Sequence, residues 1–293
     1  MRKSDYIDAS KGRDFEAGFE AFLTSITGLP AIPTILWEIQ AALHNPRSGA
    51  HEIALVIEQD ASLTANILRL ANSAYFSMGG RYISVTEAVT RVGLREIENL
   101  VSATFVIELF GEMGESFDQY DFCIHSLQVA EAANFLTEQN PEGSPFLSSE
   151  AYIAGLLHDV GKLILREYFA DDFKRVSAYK TRHGCGEVEA ERNTLGVDHG
   201  EIGARLLELW NLDEKLVEAV CWHHRVDSCC EEYRACPETV RYADSLCHLH
   251  QEGEILILDT VFEHPFLGLE TADAKSLLRI MDDSKERALL LLM

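Results

Sequence analysis

Residues 155–162 read Gly-Leu-Leu-His-Asp-Val-Gly-Lys (GLLHDVGK). Two apolar residues run into an adjacent His and Asp, followed by a glycine and a lysine. The approach is amphipathic: Ile153, Leu156 and Leu157 recur at helical spacing, so this end of the helix points inward. Gly161 frees the backbone to turn, so that His158 and Asp159 can face one place. A His-Asp pair at the inner end of a helix is either a capped polar terminus or part of a metal shell. Which it is depends on what other helices bring to the same place.

The patterns outward from this stretch are helical almost throughout, which predicts an all-α fold. Residues 14–27 carry Phe15, Phe19, Phe22, Leu23 and Ile26 on one face. LPAIPT (29–34) breaks the chain and leads into a helix over 34–45. A further helix opens at Ser48 or His51. The stretch 60–76, DASLTANILRLANSAYF, aligns Leu63, Ile67, Leu70 and Ala71, and Thr86–Val92 and Glu96–Phe110 complete an N-terminal set. GEMGESFD (111–118) is a loop and the expected boundary between two helical subdomains. Helices are then expected at 118–139, 149–158, 161–181, 198–210, 213–225 and 237–251, with a turn at NPEGSP (140–145). ILILDTVF (255–262) reads as a strand or a buried helical turn, and a last helix covers 271–292. The implied organisation is an N-terminal helical subdomain (1–115), a helical core (116–258) and a C-terminal helical extension (259–293).

Five histidines and two aspartates stand where apolar residues are expected. His125 belongs to the stripe Phe122, His125, Val129, Ala132, Leu136. His199 follows Asp198 at a helix start, where Asp198 and Glu201 have capping-box spacing. His223 and His224 extend the stripe of Leu216 and Val220. Asp244 lies between Val240 and Cys247. With His158 and Asp159 these make a set that would be costly to bury without partners. Imidazole and carboxylate together suit Mn, Fe, Zn, Ni and, less well, Mg. A divalent ion, one or two in number, is therefore expected. His44, His51, His183, His248, His250 and His264 lack such company and read as surface or loop residues. Lys162 is a surface lysine or a cation beside the metal that neutralises a phosphate.

Composition narrows the rest. The 293-residue chain carries a net charge of -23 with pI about 4.8, which opposes a chain-wide nucleic-acid footprint. No apolar run approaches the roughly 20 residues that span a bilayer, and the N-terminus lacks a signal-peptide core. Neither nucleic acid nor membrane is expected as a partner, and a cytoplasmic location is. Seven cysteines without framework spacing read as reduced thiols. Cys229, Cys230 and Cys236 lack the paired Cys-x-x-Cys spacing of structural zinc sites.

The arrangement H…HD…D, formed by His125, His158-Asp159 and Asp244, resembles the metal-binding pattern of the HD superfamily of phosphohydrolases. GLLHDVGK, DHGEIGARLLELW (198–210) and AVCWHH (219–224) resemble the subgroup containing the HD-GYP and HDOD domains. LPAIP, DASLTANILRLANSAYF and ISVTEAVTRVG (83–93) are similar to the leader of HDOD domains, so the resemblance runs over about residues 22–250. It implies an HD-type helical bundle with an N-terminal helical subdomain and a role in bacterial signal transduction through a partner protein. It also implies one ion on His125, His158, Asp159 and Asp244, and a second completed by His199, His223 and His224, with Asp159 as a bridge. In an active member, Asp159 and Lys162 would serve hydrolysis of a nucleotide or other phosphoester. Two departures bear on that activity. HHRVDSCCEEYRACPE (223–238) lacks the Gly-Tyr-Pro signature of HD-GYP enzymes, which argues against cyclic-di-GMP hydrolysis. Many HDOD domains have lost their metal ligands and are regarded as non-catalytic, whereas this chain keeps the full set.

Overall fold

The computed structural model describes residues 9–25, 38–39, 42, 45, 47–72, 84–94, 97, 101, 104, 119–139, 146–251, 276–283 and 285. Among these there is no strand. The helices are α1 (Ala9–Ser25), α2 (Ala50–Ile57), α3 (Ala61–Ala71), α4 (Val85–Val92), α5 (Gln119–Gln139) and α6 (Ser148–Leu157). They continue as α7 (Val160–Tyr168), α8 (Ala170–His183), α9 (Glu187–Leu195), α10 (His199–Leu209), α11 (Glu214–Trp222) and α12 (Ala235–Gln251). A 3-10 turn, Val226–Ser228, follows α11, and 276–283 are also helical. The loop at 111–118, the breaks at 29–34 and 140–145, and the ILILDTVF segment lie outside the described residues, as do His44 and His264. Among the described residues, no helix is long and apolar enough to cross a membrane.

The chain divides into two compact units, one of residues 1–29 and 157–241, the other of 30–156 and 242–293. In the second unit, α4 packs on both α2 and α3 through Ile53, Ile57, Leu63, Ile67, Ala88 and Val89. Ser84 caps α4 by accepting from the Glu87 amide at 3.1 Å. Helix α5 is buried almost all round from Ser126 to Thr137, so it serves as the core helix of this unit rather than as a one-faced surface helix. Gln128 donates to the Met281 carbonyl at 3.1 Å, tying 276–283 to α5.

The first unit is built on α7, α10 and α11, with α8 and α9 beside them. Helix α1 packs on α9, and Phe15, Phe19 and Phe22 surround Phe169 with ring centroids 5.2–5.9 Å apart. Arg205 on α10 binds Glu16 and Glu20 on α1.

Two expectations need correction here. Residues 161–181 are not one helix: Phe169, at φ −127° and ψ 47°, separates α7 from α8 and turns its ring into the α1 aromatics. And α9 was not foreseen. Its sequence, EVEAERNTL, shows weak apolar patterning and buries only Ala190, Glu191 and Leu195. Gly196, at φ 86°, ends it in the left-handed conformation that glycine adopts without strain.

Gly161 is also not what the sequence implied. It is helical, in the first turn of α7, and its importance is space rather than rotation. A Cβ there would stand 1.9 Å from the His199 carbonyl oxygen. On α10, a Cβ at Gly200 would stand 2.9 Å from the Val220 carbonyl oxygen of α11, and one at Gly203 would stand 3.1 Å from the Val220 side chain. The three glycines let the start of α7, the start of α10 and the end of α11 meet backbone to backbone, so the side chains at those ends converge. Overpacking normally costs about 1–3 kcal/mol. The Gly161→Ala protein is expected at the upper end of that range or beyond, because the obstacle is main chain. Urea denaturation checks this; a loss below about 1 kcal/mol would contradict the contact.

Candidate metal centre

His158 and Asp159 fill the two residues between α6 and α7, at 0% and 3% exposure. His199 is the first residue of α10 and is wholly buried, as is His223 just after α11. His224 departs from the inner stripe expected of it: the helix has ended, and its ring is exposed on one side while its Nε2 reaches inward. One donor atom from each of Asp159, His199, His223 and His224 lies within 4.8 Å of the others.

The distances give each ring a role. His199 Nε2 is 3.2 Å from Asp159 Oδ1, and His223 Nε2 is 3.9 Å from the same oxygen. His158 Nε2 lies 3.4 Å from Asp159 Oδ2, the oxygen that accepts from Lys162 Nζ at 2.7 Å. Lys162 also lies 3.6 Å from Glu187. His224 Nε2 and His199 Nε2 face each other at 2.9 Å. The outer nitrogens are tied down. His199 Nδ1 meets Glu191 Oε2 at 2.8 Å, and His223 Nδ1 meets the Val220 carbonyl at 2.7 Å. A proton on each Nδ1 leaves each Nε2 with its lone pair directed inward, the arrangement by which second-shell acceptors orient imidazole ligands. His223 Nε2 is buried and has no hydrogen-bond partner. A buried nitrogen lone pair without a partner is costly, and a cation is what would satisfy it. The donor set therefore fits a divalent ion.

Electrostatics agree. Burial works against ionisation of Asp159, but the charges of His158 and Lys162, with hydrogen bonds from His158 and His199, outweigh it and hold the carboxyl well below its usual range. Burial likewise opposes charge on His199, but hydrogen bonds to Asp159 and Glu191 overcome it and raise the imidazole to about 9. His223 is kept neutral by burial and by the neighbouring His224, His158 and His199. Without metal, then, a proton occupies His199 Nε2, and a cation binding there replaces it.

The start of α10 is rigidly held. Asp198 and Glu201 form the expected capping box, with Asp198 accepting from the Glu201 amide at 3.1 Å. Arg225 Nε donates to Asp198 Oδ2 at 2.9 Å, and Arg192 Nη1 donates to Glu201 Oε2 at 2.9 Å. These ties fix the residues flanking His199 and His224.

Of the residues singled out in the sequence, His158, Asp159, Lys162, His199, His223 and His224 are brought together within the first unit. His125 and Asp244 are brought together within the second, with His125 Nε2 3.2 Å from Asp244 Oδ1. His248, expected to be a lone surface residue, joins them. Its ring is half-exposed, its Nε2 is 3.2 Å from Asp244 Oδ1, and its centroid is 4.9 Å from that of His125. The i, i+4 spacing of Asp244 and His248 was the available signal. Glu191 was missed because α9 was missed. Replacing it as Glu191→Gln removes the negative charge behind His199. Metal affinity is expected to fall roughly 10–100-fold, read by competition with a chromogenic chelator.

The family model of the HDOD domain matches residues 29–226. An uncharacterised protein of Treponema pallidum (strain Nichols) is 31% identical over 228 residues, 75% of this chain, and this chain spans 42% of that relative's length. Solved structures of like fold include an HDOD domain protein of unknown function from Geobacter sulfurreducens. It is 25% identical with TM-score 0.73, and the match covers 96% of each chain. A candidate phosphohydrolase from Shewanella amazonensis SB2B is 23% identical with TM-score 0.74, over 94% of this chain and 98% of that one.

Proposed function

This chain belongs to the HDOD domain family, and from that premise we propose that it is a signal-transduction module with a working metal site. Asp159, His199, His223 and His224 hold the ion, with His158 alongside. The observation that carries this reading is the inward, unpartnered Nε2 of buried His223, in a ring whose tautomer is fixed by the Val220 carbonyl. A purely structural histidine would be expected to use both nitrogens. His125, Asp244 and His248 offer a further donor set in their own unit. The output is contact with a regulatory partner protein, and the ion holds the ends of α7, α10 and α11 in one arrangement for it.

A second reading, hydrolysis of a nucleotide or other phosphoester, is favoured by Lys162. When bound, a divalent ion supplies Lewis acidity toward a phosphoryl oxygen and a water. Asp159 keeps its carboxylate ionised as a ligand. Lys162, one-quarter exposed at the edge of the site, offers a cation to phosphoryl oxygens. Glu191 keeps the His199 proton on Nδ1. A screen of cyclic and linear nucleotides and generic phosphoesters with Mn or Fe separates the two. Turnover lost in Asp159→Ala and reduced in Lys162→Met establishes the hydrolase. Metal bound at stoichiometric level without turnover favours the signalling module.

A further inference from the structure

Beside α11 lies a second set of donors of different chemistry. Glu218 sits one turn before the helix end. Cys229 and Cys230 follow the 3-10 turn that folds back after Arg225. One donor atom from each of the three lies within 4.8 Å of the other two. We propose that Glu218, Cys229 and Cys230 form a separate thiol-type metal site that takes a soft or borderline divalent cation, of the zinc class.

The geometry resembles an assembled site with a proton in place of the ion. Cys229 Sγ donates to Glu218 Oε2 at 3.3 Å, and Trp222 Nε1 donates to the same oxygen at 3.0 Å. The indole thus orients the carboxylate as a second-shell donor does. Cys229 is buried at 3% exposure, whereas Cys230 is exposed, so the cluster has a fixed inner wall and an open mouth. Burial and the Glu218 carboxylate push the Cys229 thiol upward. Two sulfurs and one carboxylate select zinc-like ions over magnesium or manganese, and three protein ligands leave a fourth position for water or another thiol. Cys236, which the sequence groups with these two, is buried outside the cluster; Glu218 takes the third place. Missing Cys-x-x-Cys spacing therefore does not argue against a site, because its third ligand comes from α11.

The site also touches the machinery of the first. Arg225 lies over the Trp222 ring at 4.7 Å while its Nε holds Asp198, next to His199. An ion on Glu218 would fix the Trp222–Arg225 stack and, through it, the residues around His224.

Cadmium titration of the full-length, reduced and chelator-stripped protein tests the assignment, read by the ultraviolet thiolate-to-cadmium charge-transfer band, with zinc as competitor. The band is expected at about one equivalent in wild type, in Cys185→Ser and in His223→Gln, which alters only the histidine site. Cys230→Ser, an exposed replacement that leaves the core intact, is expected to weaken cadmium at least tenfold. Glu218→Gln is expected to do the same while far-ultraviolet circular dichroism stays unchanged. A band that is absent in wild type, or equally strong in Cys230→Ser and Glu218→Gln, overturns the site and leaves a Cys–Glu hydrogen bond only.

Discussion

Protein purified without chelator is expected to carry a divalent ion that His199→Ala and His223→Gln no longer hold. Each of these rings presents an Nε2 whose ring is fixed by a bond at Nδ1, to Glu191 or to Val220. Losing either removes a preorganised ligand from a set of four and, for His223, the buried nitrogen that most needs a cation. An ion that binds only the folded state stabilises it by about 2.7 kcal/mol at one hundred times its dissociation constant. For a chain of this size that corresponds to a thermal midpoint roughly 4 °C higher. Chelator should therefore lower the wild-type midpoint by about that amount more than it lowers either variant. Elemental analysis supplies the stoichiometry. Equal metal in wild type and His199→Ala, or a midpoint insensitive to chelator, would remove the site.

Much of this centre was visible in the chain before any coordinates. Apolar stripes interrupted by His or Asp marked seven residues; Asp159, His199, His223 and His224 meet in the first unit with His158 beside Asp159, and His125 meets Asp244 in the second. The Asp198–Glu201 spacing announced the helix start that carries His199, and the capping box is there. What escaped was information that a stripe cannot hold. Gly161 was read for backbone freedom, because one sequence cannot tell that the His199 carbonyl would occupy the place of a Cβ. Residues 161–181 keep helical periodicity through Phe169, since the break serves a tertiary contact with α1 rather than a local turn signal. Glu191 sits on a short, mostly polar helix whose inward face is three residues wide. An acid between Ala190 and Leu195 looks like surface until His199 is placed against it. Glu218 was overlooked for the same reason: its partners arrive from across a turn.

Asp159→Asn should produce the second large effect, and in metal-free protein rather than in the loaded form. The carboxylate is the counter-charge for Lys162 at 2.7 Å and for the His199 proton at 3.2 Å, all in a nearly dry site. Removing one partner of a buried pair costs about 3–5 kcal/mol, because the remaining charge stays desolvated. The pH dependence follows from the directions of the shifts. Asp159 has a folded value below its unfolded one, so its contribution is present above the usual carboxylate range and fades as pH falls through the folded value. His199 is raised from 6.5 to about 9, worth on the order of 3 kcal/mol. That contribution is complete below 6.5 and disappears as pH climbs to about 9. With chelator present, wild type should lose stability across that alkaline window. Asp159→Asn should be weaker at about pH 6 and show a shallower slope, since His199 keeps only Glu191. Adding metal to wild type should reverse the trend, because the ion competes with the His199 proton and binds more tightly as pH rises. Unfolding curves for the two proteins at about pH 6 and pH 9, with and without chelator, measure all three. Coincident curves for wild type and Asp159→Asn at the lower pH would mean that Asp159 balances no buried charge.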